Sequence, residues 1–238
     1  MRGGAIWTTG GRRESVRPAP LHSRSPTKAS LPVSDTAKPD KPAKQARKNL
    51  SREAWVAAAR KVLEKRGIAE VKIDGLAKKL RVTRGSFYFH FKSQNDLHEA
   101  LLDEWRTANC APFLALQARH YDDGLQLFSD AVHVWVDEAP FSPALDLAIR
   151  DWSRTSAALT REVEESDALR LELLTDAFLK MGYPSDESIV RARITYFHQI
   201  GQYALSFKEP RDIREQYQPL FGAVLLGPLV RDPNLPPD

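Results

Sequence analysis

From Ser51 onward, apolar residues recur every three or four positions, and no stretch alternates convincingly with the period of two that a strand requires. In "SREAWVAAARKVLEKRGI" the stripe is Trp55, Ala58, Ala59, Val62 and Leu63, with Ser51 suited to cap the helix and Gly67 to end it. "KIDGLAKKL" places Ile73, Leu76, Ala77 and Leu80 at helical spacing. Ser93 can cap a further helix with Leu97, Leu101 and Trp105 on one side, running past Ala111 until Pro112 bends or ends it. Helices follow at roughly 123–138, 142–158, 160–181, 186–206 and 210–228. Pro140 and Pro143, Gly182 with Pro184, and Pro210 separate them, and Pro219 should kink the last. The pattern predicts an all-α protein without internal repeats.

One short stretch breaks the pattern. "RVTRGSFYFHF", residues 81–91, sets Phe87, Tyr88, Phe89, His90 and Phe91 side by side. A helix turns about 100° per residue, so consecutive rings surround its axis and a core can bury only some of them. Phe87 and Phe91, four apart, share a face and are expected to pack inward. Tyr88, Phe89 and His90 then project outward beside Thr83–Ser86, with Phe89 the least clear of the three. Three short helices within about 40 residues have the dimensions of a helix-turn-helix, with Arg81-Val82 as the turn and the third helix starting at Thr83 or Arg84. Each outward group suits a nucleic-acid surface. Thr83 and the first N–H groups of that helix can hold a phosphate, and Arg84 can read a guanine edge or bind phosphate. Gly85 and Ser86 are small enough for close approach. Tyr88 and Lys92 can reach phosphate oxygens, and Phe89 and His90 can touch sugars, thymine methyls or base edges.

Charge adds a direction to this picture. The chain of 238 residues has a net charge of +4, but the charge is unevenly spread. Residues 1–48 carry 11 Lys/Arg against 3 Asp/Glu, residues 49–106 carry 12 against 8, and residues 107–238 carry 12 against 20. A basic front suggests a polyanionic partner for the front alone. Residues 1–48, rich in Pro, Ser, Arg and Lys, are expected to form a disordered basic arm. Their composition also loosely matches a transit peptide, and an overlong start is another reading. The single cysteine, Cys110, excludes an intrachain disulfide and fits a reducing compartment. The longest apolar run near an end, 221–230, is too short to span a bilayer.

The segment "VKIDGLAKKLRVTRGSFYFHFKSQNDLHEALL" resembles the DNA-binding domain of the TetR family of bacterial transcription regulators. The resemblance covers residues 51 to about 102. It rests on Leu76-Ala77, Val82-Thr83, Phe87-Tyr88, His90-Phe91 and Leu97 in sequence. It implies an N-terminal three-helix helix-turn-helix DNA-binding domain followed by a larger helical ligand-binding and dimerisation domain. By position, the DNA contacts fall on Thr83, Arg84, Gly85, Ser86, Tyr88, Phe89, His90 and Lys92. Two positions depart from the family pattern: Arg81 stands where many members have glycine, and Gln94 where many have a phosphate-binding lysine. Gln94 can still donate a hydrogen bond, without the charge.

The expected organisation is a basic arm (1–48), the helix-turn-helix domain (49–95), an effector-binding and dimerisation domain (96–230) and a flexible tail (231–238). Trp105, Trp135, Trp152, Phe178 and Phe197 are candidates to line an effector pocket, although helical spacing explains most of them as core. His133, His198 and Gln199 are polar groups within apolar stretches. Ile189, Ile194, Phe197, Ile200, Gly201, Ala204 and Leu205 suit close helix packing, and the resemblance implies a homodimer joined by a four-helix bundle. Arg191 and Arg193 could pair across it. No metal-ligand cluster, phosphate-binding loop or nucleophile motif stands out, and Glu162, Glu164 and Glu165 read as a solvated helix face. The expectation is a non-enzymatic cytoplasmic, nucleoid-associated repressor without cofactor, metal or membrane contact. Its partners would be double-stranded DNA with a palindromic operator and an unknown small-molecule effector. A DNA-binding protein of the same fold controlled by a protein partner, or acting without a small-molecule effector, is the alternative.

Overall fold

Ser51 begins the first helix as the spacing requires: its side chain accepts a hydrogen bond from the Ala54 N–H, and α1 (Arg52–Arg66) follows. Gly67 ends it at φ +78°, a conformation that costs glycine nothing. The computed structural model describes residues 50–205 and 210–227; the expected arm and tail lie outside the described residues. After a single 3-10 turn at Ile68–Glu70 come α2 (Ile73–Leu80), α3 (Arg84–Phe87) and α4 (Gln94–Trp105). Then follow α5 (Ala111–Gln117), α6 (Gly124–Val136), α7 (Pro143–Ser153), α8 (Ala157–Lys180), α9 (Ser185–Ala204) and α10 (Arg211–Leu226). No strand occurs among the described residues.

Two apolar cores organise these helices. The first joins Trp55, Ala59 and Leu63 of α1, Leu76 and Ala77 of α2, Phe87, Phe91, and Leu97, Leu101 and Trp105 of α4 to Leu145 and Ile149 of α7. The second gathers Phe113, Phe128, Trp135, Phe141, Leu174, Ala177, Phe178 and Tyr196. Helix α8 is central to the back half, with α6 and α9 packed against it. At the start of α6, Gly124 lies so close to α8 that an added Cβ would stand 2.2 Å from the Ala177 carbonyl oxygen. Glycine there is demanded by packing.

Two boundaries differ from the sequence expectation, each for a local reason. Pro112 does not end the helix after α4; it sits in the first turn of α5. Its missing N–H and bulky ring are absorbed upstream by a π turn at Arg106–Cys110, where the Ala111 N–H reaches the Arg106 carbonyl. The expected 142–158 helix stops at Ser153. Ser153 and Thr155 hydroxyls bond back to the Arg150 and Trp152 carbonyls, and Ser156 caps a new helix by accepting from Leu159 N–H. Pro219 lies inside α10, which continues through it to Leu226. Arg191 and the Tyr183 hydroxyl bond to the Leu225 and Leu226 carbonyls and tie the end of α10 down.

A buried polar cluster crosses the back half. Asp146 of α7 accepts from Trp105 Nε1 at 3.0 Å, Arg150 Nε at 2.9 Å and Arg170 Nη2 at 3.3 Å. Arg170 also donates to the Asn109 carbonyl in the π turn and to the Tyr196 hydroxyl, each at 3.1 Å. Asp167 accepts from Arg150 and from the Tyr196 hydroxyl. Two arginines and two aspartates therefore balance, joining the end of α4 to α7, α8 and α9.

Candidate nucleic-acid interface

The helix-turn-helix is built around Phe87. Its ring is fully buried, edge-on to Trp55 at 5.3 Å and stacked on Phe91 at 5.1 Å. Burying one such ring is worth roughly 1.5–3 kcal/mol, and this anchor fixes which way its neighbours face. Tyr88 is 51 % exposed and Phe89 85 % exposed. His90 is half-buried, while Thr83, Arg84, Gly85 and Lys92 are exposed and Ser86 half-buried. The structure thus gathers all eight proposed contact positions along one short segment, six of them exposed. Helix α3 is a single turn, with Thr83 before it and a turn at Tyr88–His90 after it.

Arg81 takes the left-handed conformation, φ +57° and ψ +40°, where many family members have glycine. The bend is kept by two backbone bonds, Arg81 N–H to Lys78 and Val82 N–H to Ala77. Arg84 is not free in the unbound protein: it donates to Asp74 Oδ2 at 3.2 Å and to the Tyr88 hydroxyl at 3.5 Å. The Tyr88 hydrogen bond and the Asp74 charge both reinforce its charged state. An exposed pair of this kind is weak because water screens it, so a phosphate or guanine can displace Asp74 at little cost. Asp74 escaped the sequence reading; its signal was an acidic residue in the first turn of α2, ten positions before Arg84.

At the next helix, Ser93 caps α4 by accepting from Asp96 N–H, and Asp96 accepts in return from Lys92 N–H. Gln94 was expected to reach outward. Instead its amide donates to the Val71 carbonyl at 2.9 Å, which turns it into a brace between the 3-10 turn and α4. Arg52, Lys72, Lys78, Lys79, Arg81, Arg84 and Lys92 are all exposed, so this domain offers positive charge to solvent.

The five effector-pocket candidates do not converge. Trp105 and Phe178 are core, one in each apolar cluster, because helical spacing points them inward. Trp152 lies half-buried against the first core with its ring 5.3 Å from His98. Phe197 is 58 % exposed on the outer side of α9. Trp135 alone borders the apolar cavity of about 290 Å³ between α6, α9 and α10. His133, His198 and Gln199 join it there. A larger cleft of about 1150 Å³ lies between the end of α1 and α7, but Arg60, Glu64, Lys65, Arg66 and Asp151 make it a charged seam.

Other expectations change with the packing. Glu162 is not merely solvated: it takes a two-pronged hydrogen bond from Arg106 at the π turn. Arg191 pairs within its own chain, with Glu187 and the end of α10. Burial pushes the Cys110 thiol pKa up, which fits an unreactive sulfur beside Ser166. No group of His, Cys, Asp and Glu among the described residues could hold a metal, and no described helix is long and apolar enough to cross a membrane.

A three-helix unit with a buried aromatic anchor, an exposed basic and aromatic turn, and a helical body behind it defines a helix-turn-helix transcriptional regulator. Residues 56–101 match the model of "Bacterial regulatory proteins, tetR family", so the likeness to that family lies in the helix-turn-helix segment. No curated protein matches the chain as a relative. Among solved structures, AmtR of Mycobacterium smegmatis shares 17 % identity over 74 % of this chain and 84 % of its own, with a TM-score of 0.52, a likeness of fold. BioQ with its natural double-stranded DNA operator is 22 % identical over 74 % of this chain and 99 % of its own, but its TM-score of 0.34 carries no structural argument. BioQ without DNA, at 23 % identity over 77 % and 99 %, scores 0.32 and adds none.

Proposed function

We propose that the chain is a homodimeric repressor that binds a palindromic operator and is released from it by a small-molecule effector. The observation that carries the DNA contact is the orientation of the aromatic run. Phe87 and Phe91 are locked inward, while Tyr88 and Phe89 stand in solvent beside Arg84 and Lys92. A hydrophobic ring held in water next to cations has a reason to be there when a nucleic acid covers it. Thr83, Gly85, Ser86 and His90 complete the contact surface.

The dimer is supported by a second exposed apolar surface. Val190, Ile194, Phe197 and Leu205 follow one side of α9, and Leu220, Phe221 and Val224 stand out on α10. A two-fold pairing through these helices would present two copies of α3 to DNA, about 34–36 Å apart for half-sites one helical turn apart. The effector reading is supported by the apolar cavity beside this surface, which a body packed solid for a protein partner would lack. Release follows from population shift: an effector that favours the dimer form with misplaced recognition helices weakens operator binding. The role is binding rather than catalysis, at the bacterial nucleoid. Genomic footprinting of wild type, Arg84→Ala and Tyr88→Ala tests it. A palindromic site lost in both variants is expected; diffuse binding identical in all three would reject the assignment.

A further inference from the structure

Arg84 opens α3 held between two acceptors from different elements. Its Nη1 donates to Asp74 Oδ2 on α2 at 3.2 Å, and its Nη2 reaches the Tyr88 hydroxyl at 3.5 Å. Both acceptors stand on anchored backbone. Asp74 follows buried Ile73, and Tyr88 follows buried Phe87, whose ring meets the Tyr88 ring edge-on at 5.3 Å. Asp74, Arg84 and Tyr88 are nevertheless exposed, so the guanidinium is posed without being buried. Other exposed cations of the domain differ. Lys72 has only Glu70, at 3.8 Å, while Lys78, Lys79, Arg81 and Lys92 enter no ion pair among the described residues.

This pairing weighs differently on the two targets open to Arg84. A phosphate is attracted by positive charge, and beside Asp74 that charge is cancelled. Water screens the pair, so breaking it is cheap; what a phosphate then meets is the freed carboxylate, a like charge. A guanine edge carries no net charge and asks instead for two directed donors. The guanidinium has five N–H groups, of which two face Asp74 and Tyr88. The remaining donors can read a guanine with both acceptors still in place. Asp74 thus removes the sequence-blind part of the attraction and spares the part that reads a base.

We infer that Asp74 is a specificity-determining residue: by neutralising Arg84 it reserves that side chain for a guanine edge and keeps it off the phosphate backbone. The inference rests on the DNA-binding reading above. The full chain is titrated with salt on a duplex of about 30 base pairs of alternating dA and dT, which offers phosphate but no guanine. Base preference is read by selection from a random-sequence duplex pool. On the guanine-free duplex Asp74→Asn should bind about three- to tenfold tighter than wild type, with a log–log salt slope steeper by about 0.9, one further phosphate. Asp74→Asn with Arg84→Ala should match the wild-type slope there, because the intact pair adds no net charge. From the pool, wild type should enrich a guanine that the double variant loses and that Asp74→Asn enriches less, by about threefold or more. An unchanged slope in Asp74→Asn, or a shallower one in the double variant, would overturn the inference. So would tighter binding of Asp74→Asn with guanine enrichment unchanged, since Asp74 would then only repel DNA at large. Wild type that binds neither the duplex nor the pool would overturn the DNA-binding reading as well; binding with a slope independent of Asp74 would strike the role of Asp74 alone.

Discussion

Replacing Asp146 by Asn is the sharpest test of how the body holds together. Arg170 and Asp146 are 0 % and 1 % exposed, and their charged atoms lie 3.3 Å apart. At an effective dielectric of about 20, two unit charges at that distance attract by about 5 kcal/mol, before the cost of removing both from water. Asn keeps the volume and one acceptor for Trp105 but leaves buried Arg170 and Arg150 to share the single carboxylate of Asp167, which lies 3.8 Å from Arg170. Breaking a buried pair in this way costs about 3–5 kcal/mol, a large share of the 5–15 kcal/mol that holds a typical domain. With an m-value of about 2 kcal/mol/M, the urea midpoint should fall by roughly 1.5–2.5 M at fixed protein concentration. The joint replacement Asp146→Leu with Arg170→Met should cost less than the sum of the two single changes, since it removes the stranded charge. The pH dependence has a definite sign. Burial pushes the Asp146 carboxyl up, but Arg170 and Arg150 outweigh it and hold the pKa below the usual range. A depressed folded-state pKa contributes stability fully above the unfolded value of about 3.9, and that contribution is lost as pH falls through the folded value. The gap between wild type and Asp146→Asn should therefore stay constant from pH 7 to about 5 and narrow only below about 4. A midpoint shift under about 0.5 M, or strict additivity in the double variant, would refute the account.

Arg84→Ala and Tyr88→Ala should each weaken operator binding by about 1–3 kcal/mol in a salt-controlled mobility-shift assay, with unfolding midpoints near wild type because both side chains are exposed. Gly124→Ala should lower the thermal midpoint by several degrees, since its methyl would stand 2.2 Å from the Ala177 carbonyl oxygen; an unchanged midpoint would mean α6 and α8 are not so close. Tyr196→Phe removes the hydroxyl that Arg170 and Arg150 reach but keeps the ring stacked on Trp135 at 5.8 Å. It should lower the urea midpoint by roughly 0.5–1.5 M, because two buried arginines lose an acceptor; an unchanged midpoint would show that the hydroxyl adds nothing to the cluster. If α9 forms the proposed dimer seam, wild type should sediment as a dimer and Ile194→Glu with Phe197→Glu as a monomer; a dimer in both would place the interface elsewhere.

The all-α class, the helix-turn-helix and the inward pair Phe87 and Phe91 were legible in the chain because each depends on neighbours within a few positions. Periodicity, caps such as Ser51 and Ser93, and the turn at Arg81 act locally, so local reading suffices. The aromatic run could be split into inner and outer faces by helical geometry alone. What escaped depended on residues far apart in sequence. Gln94 meets Val71, Arg106 meets Glu162, and Asp146 meets Trp105 and Arg170, pairings that no spacing rule announces. The expected pocket failed for the same reason: Trp105, Trp152, Phe178 and Phe197 are apolar residues on separate helices, and only packing decides which share a cavity. Sequence determined the elements and the outward-facing aromatic turn through short-range sterics and capping. Tertiary structure alone decided the buried charge cluster and the cavity, because both exist only where distant helices meet and exclude water.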